Sequence, residues 1–141
     1  SKREVQLKSI RSVLVGCMSL IAVVANAQED AQKLARETVE LVRLQEQMLV
    51  TAIRQKDSRG GAADFQKFIL TPIDKLSARW SEQPKGVQRE FIYCISALGE
   101  HEYHARDSFK AGKLLKPTSL LGESLTNCKR EIKAPGAVHK K

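Results

Sequence analysis

Nowhere in these 141 residues do apolar and polar side chains alternate over the length of a strand, and no segment repeats itself. The first absence excludes a sheet, whose half-buried strands need a period of two. The second excludes a repeat array. The motifs that announce chemistry are missing as well. There is no G-x-S-x-G elbow to activate a serine, and no Gly-Lys-Ser/Thr follows Gly60 and Gly61 to cradle a phosphate. C-x-x-C and C-x-x-C-H are absent, which removes thiol exchange and covalent haem. Neither H-E-x-x-H nor E-x-x-H occurs, so the usual helical metal sites have no signature here. No cofactor is implied, and these absences together speak against an enzyme.

What is present is ordinary globular material. Apolar residues make up 42% and charged residues 28%, too apolar for a disordered polyelectrolyte and enough for one modest core. The charge is +8, yet Lys2, Arg3, Lys8 and Arg11 against Glu4 hold part of it at the N-terminus. About +5 remains for the rest, a mild excess that favours anionic surfaces.

That N-terminus has the order of a secretion signal. Four basic residues precede residues 13–24, which carry no charge, and Ala25, Asn26 and Ala27 form an A-x-A cleavage pattern. Three parts are therefore expected: a signal at 1–27, a helical domain at 28–136 and a flexible basic tail at 137–141. The expected compartment is the periplasm or the exterior. Two alternatives stay open. The uncharged stretch over residues 12–28 is short of the roughly 20 residues of a spanning helix, but an uncleaved anchor is conceivable. Leu14, Val15, Gly16 and Cys17 resemble a lipoprotein box, in which Cys17 would be lipidated.

After the signal the apolar spacing is helical. Leu34, Leu41, Val42, Met48, Leu49, Ala52 and Ile53 draw one stripe between Glu29 and Lys56, with Glu29 and Asp30 suited to a positive helix end. Polar Thr38 and Gln45 interrupt that stripe, so the helix is expected to be solvated or partner-facing there. Gly60 and Gly61 turn the chain. Phe65, Phe68, Ile69, Ile73, Leu76 and Trp80 continue the pattern across Pro72, which predicts a kink or a fresh start capped by Thr71. Val87, Phe91, Cys94, Ile95, Leu98, Ala105 and Phe109 predict one long helix ending near Gly112. Leu121, Leu125, Cys128 and Ile132 predict a last helix capped by Thr118 or Ser119. The expected architecture is all-α: a small antiparallel bundle of about four helices, the second kinked or split at Pro72.

Cleavage would remove Cys17 and leave Cys94 and Cys128, an even pair in an exported chain. Each lies on the apolar stripe of its own helix, and antiparallel packing brings them together. Their disulfide would close about 34 residues and stabilise the fold by roughly 3–4 kcal/mol.

The remaining candidates are weaker. His101 and His104, with Glu100, lie close enough on one helix to approach a common metal, but a third ligand would have to come from elsewhere. A histidine partly buried at the bundle edge is the plainer reading of His101. Trp80 reads as core and Tyr103 as surface. Basic residues mixed with acidic ones, as in Lys129, Arg130 and Glu131, read as solvated helix faces. The exception is the group Lys110, Lys113 and Lys116, suited to weak contact with an anionic membrane surface. With no stacking platform, nucleic acid is not an expected partner. The expectation is a non-enzymatic exported protein that binds a protein or envelope partner, such as an inhibitor, immunity factor, adaptor or chaperone. Tyr103, Thr38, Gln45 and the three lysines are its candidate contact residues. The alternative is a metal- or small-ligand-binding helical protein using His101 and His104.

Overall fold

The computed structural model describes the backbone of residues 2–136 and the side chains of residues 27–136. The side chains of residues 1–26 of the expected signal, and the expected basic tail at 137–141, lie outside the described residues. The chain divides into two compact units, Ser1–Asp30 and Ala31–Lys141. The first is helical backbone. The second carries the core.

Every regular element among the described residues is helical. Helix α1 (Lys2–Arg54) is followed by α2 (Gly61–Phe65), a π-helical turn (Gln66–Leu70) and α3 (Thr71–Ser81). Then come the short α4 (Lys85–Glu90), the long α5 (Ile92–Ala111) and α6 (Ser119–Lys133). None of the described helices is long and apolar enough to cross a membrane. Because α1 starts at Lys2, Glu29 and Asp30 lie inside it and meet a helix end only in a chain that begins near Gln28.

The turn after α1 needs its two glycines for different reasons. Gly60 has φ 81°, in the left-handed region. A Cβ on Gly61 would lie 2.1 Å from the Gln55 carbonyl oxygen, so no larger residue fits.

Cross-helix bonds give the directions. Thr38 meets Trp80 while Gln45 meets Phe68 and Ile69, so α3 runs against α1. Gln45 also meets His101, and Lys56 meets the Lys110 carbonyl, so α5 runs with α1. Cys94 and Cys128 are bonded, with Cα atoms 4.5 Å apart, which sets α6 against α5 as the spacing required. The core gathers Leu34, Leu49, Ile69, Ile73, Trp80, Phe91 and Leu98 around this bridge. Phe65 stacks on Phe109 at 4.0 Å, and Trp80 tilts against Phe91 at 5.8 Å.

Four expectations about the helices change. First, the split expected at Pro72 is present, with α3 beginning at Thr71 and Pro72 in its first turn after a π-helical turn, but the expected cap is not. Thr71 is itself helical, and its side chain caps nothing. The preceding π turn absorbs the misfit of a ring without an N–H. Second, the long helix expected from Val87 is interrupted at Phe91 (φ −116°, ψ 28°). The break drops the Phe91 ring into the core and gives α5 a fresh N-terminus. Third, Met48 and Phe68, read as stripe residues, are exposed. The buried register of α1 is Ala31, Leu34, Ala35, Thr38, Val42, Gln45 and Leu49. Thr38 and Gln45 are full members of this alternating three-and-four spacing. Fourth, the inward face of α6 is Leu121, Ser124, Cys128 and Glu131, with Leu125 and Ile132 only half-buried.

Candidate functional site

The polar residues of α1 face inward and carry an organised hydrogen-bond network. Thr38 Oγ1 donates to the Leu34 carbonyl at 2.8 Å and accepts from Trp80 Nε1 at 3.0 Å. One turn pair further on, Gln45 Nε2 donates to the carbonyls of Phe68 (3.1 Å) and Ile69 (2.9 Å). Pro72 has no N–H, so the Phe68 carbonyl four residues earlier loses its usual helical donor. Gln45 supplies it. The expectation of solvation at Thr38 and Gln45 is thus corrected: both are 0% exposed, because each finds partners on a facing helix.

Gln45 also decides the state of His101. With its amide nitrogen turned to two carbonyls, Gln45 Oε1 is left to accept, and it lies 2.8 Å from His101 Nε2. His101 therefore donates from Nε2, and its neutral ring keeps Nδ1 bare. The ring is fully buried rather than at an edge. Burial pushes its pKa down to about 4, and the neighbouring His104 adds to the effect. His101 is uncharged at neutral pH.

His104 has a different partner. Its Nε2 lies 2.8 Å from the Leu115 carbonyl, which can only accept, so this nitrogen carries a proton too. The two rings suggested as a metal pair each use Nε2 on a separate protein oxygen, and Glu100 sits half-buried beside them on α5. Among the described residues, no group of three or more His, Cys, Asp or Glu side chains could hold a metal ion.

Glu131 was read as part of a solvated face, and the structure buries it completely. Its Oε1 accepts from the backbone N–H groups of Tyr93 (2.9 Å) and Cys94 (3.1 Å). Phe91 precedes α5 and has no capping oxygen, so a carboxylate from α6 caps the helix end that the break at Phe91 creates. A signal for this existed: Glu131 stands three residues after Cys128 and seven after Ser124, on the inward register.

The outward features form two regions. One is a groove between α1 and the α2–α3 segment. On α1 it is lined by Leu41, Leu44 and Met48, and opposite by Phe68, Pro72 and Leu76. It opens as two hollows, one of about 280 Å3 beside Met48 and Phe68 and one of about 560 Å3 beside Leu41, Leu44, Pro72 and Leu76. Leu44 and Phe68 are each 48% exposed. The ion pairs Arg79 with Glu37 and Arg43 with Glu40 fringe one end. The other region is the turn between α5 and α6, where Lys110, Lys113 and Lys116 are all exposed. Tyr103 is exposed on α5, as expected, and Trp80 is buried.

No protein-family model, no curated protein and no solved structure matches this chain.

Proposed function

We propose that this protein is an exported four-helix bundle, up-down-up-down, that acts by binding another protein rather than by catalysis, and that the groove between α1 and α3 is the binding surface. The groove carries the reading. Leu44, Met48 and Phe68 are exposed along it, with half-buried Leu41 and Pro72 in the same lining, and solvent exposure of large apolar side chains costs solubility unless a partner covers them. A groove of this shape suits the apolar face of an amphipathic helix, with Glu37, Glu40, Lys75 and Arg79 at its rim to orient it. By contrast, the interior polar groups Thr38, Gln45, Trp80 and His101 are turned on one another, a supporting role. Export enters through the signal pattern at 1–27 and the bonded pair Cys94 and Cys128, which persists best in an oxidising compartment.

The test is a photo-reactive side chain placed at Leu44 or Phe68 in intact cells. A defined adduct that disappears when Leu44→Asp and Phe68→Asp are combined supports the reading, provided the double variant keeps its unfolding midpoint. Equal cross-linking from groove positions and from exposed Ser77 would overturn it. N-terminal sequencing of the cell-derived protein should begin at Gln28.

A further inference from the structure

The turn between α5 and α6 has an organisation that the core does not require. From Ser108 to Gly122 the chain has three lysines and no acidic residue; the nearest carboxylates in sequence are Asp107 and Glu123. Within the same turn the leucines divide. Leu121 is buried and Leu115 half-buried, while Leu114 and Leu120 are 51% and 54% exposed. Cations with outward leucines between them match a surface that is anionic at its face and apolar just beneath it.

The turn is held rather than loose. Gly112, at φ 69°, closes α5: its N–H bonds to the Phe109 carbonyl at 3.1 Å and that of Lys113 to the Ser108 carbonyl at 3.3 Å, the pattern of a Schellman motif. Leu115 is tied twice to α5, its N–H donating to Ser108 Oγ and its carbonyl accepting from His104. Thr118 Oγ1 accepts from the Leu121 N–H and starts α6. Lys56 reaches over from the end of α1 to the Lys110 carbonyl at 2.8 Å, adding a fourth cation to this end of the molecule. A pre-formed turn loses little conformational entropy on docking.

We propose that this turn docks on an anionic phospholipid surface, with Leu114 and Leu120 entering the acyl boundary and Lys110, Lys113 and Lys116 meeting the headgroups. The site is separate from the groove and stands or falls independently of the partner assigned there.

The full chain also carries the apolar stretch at 13–24, so the test must report from the turn itself. Leu114→Trp and Leu120→Trp are each titrated with vesicles of phosphatidylcholine alone and of phosphatidylcholine mixed with phosphatidylglycerol; native Trp80 is buried and gives a constant background. The expected result is a blue shift, and quenching by brominated acyl chains, on the anionic vesicles only. Replacing the three lysines with glutamine should weaken binding about fivefold per lysine, roughly a hundredfold in all, and salt should act in the same direction. Ser77→Trp, on α3 away from this end, should stay unquenched. Binding without quenching at 114 and 120, equal response to neutral vesicles, or full binding by the glutamine variant would each overturn the proposal.

Discussion

His101 makes the fold acid-sensitive in a calculable way. In the folded protein it titrates at about 4, against 6.5 for an unburied histidine. Between those values the unfolded chain holds a proton that the fold rejects, so stability rises with pH across that window. Above pH 6.5 the histidine costs nothing. As the pH falls from there to 4, the fold loses up to about 1.4 kcal/mol per unit, roughly 3 kcal/mol in total. The physical origin is the seat of the ring: it is buried, its Nε2 proton is committed to Gln45, and a charge on it would face His104. Urea unfolding at pH 7, 6, 5 and 4.5 measures the loss. Carboxylates contribute to the same slope, so the comparison is with His101→Gln, which keeps a donor near Nε2 and cannot titrate. The variant should be weaker at pH 7 and flatter below 6.5, its deficit shrinking as the pH falls. Proton NMR of the ring should give a midpoint near 4. A midpoint near 6.5, or parallel pH slopes for the two proteins, would refute the account.

Three further outcomes follow from the same contacts. Cys94→Ala with Cys128→Ala should lower stability by about 4 kcal/mol, the chain-entropy value for the closed loop, and a reductant should lower the urea midpoint of the native protein to match. Glu131→Ala should cost about 1–3 kcal/mol and speed hydrogen exchange at the Tyr93 and Cys94 amides selectively, because it uncaps α5. Leu44→Asp with Phe68→Asp should leave the unfolding free energy within about 0.5 kcal/mol of the native value, since both side chains already face solvent; a larger loss would mean the groove is structural.

Residues whose role follows from their own neighbourhood in the chain were legible. Cys94 and Cys128 sit on apolar stripes of consecutive helices, so their pairing required only antiparallel packing. Gly60 and Gly61 mark a turn because no other residue suits both positions. Trp80 and Tyr103 sort by register. What escaped were three polar residues whose partners lie far along the chain. Thr38, Gln45 and Glu131 look solvent-facing by hydropathy, and their burial depends on Trp80, Phe68, His101 and Tyr93, between 23 and 56 residues away. Phe68 and Met48 failed in the opposite sense. A 3.6-residue period leaves two adjacent faces to choose between, and hydrophobicity alone does not say which face a neighbour covers.

The two polar interruptions of α1 are better understood as register marks than as flaws in the core. An all-apolar α1 could slide one turn along α3 with little change in buried area, because aliphatic side chains pack in many ways. Thr38 and Gln45 remove that freedom. A one-turn slide would separate Trp80 Nε1 from Thr38 and take Gln45 Nε2 away from the Ile69 carbonyl and from the Phe68 carbonyl, which Pro72 leaves without a helical donor. It would also strand the His101 Nε2 proton. Each unsatisfied buried group costs about 1–3 kcal/mol, so several together exceed most of a small domain's net stability of about 5–15 kcal/mol. Gln45 bonds to the α3 side and to α5 at once, so it sets both helices against α1 with one side chain. Gln45→Leu should therefore cost more than Thr38→Val, and its damage should appear as line broadening spread over α3 and α5, read by NMR, rather than as a local loss at position 45. A Gln45→Leu protein with sharp, native-like resonances on both helices would show that apolar packing alone fixes the register.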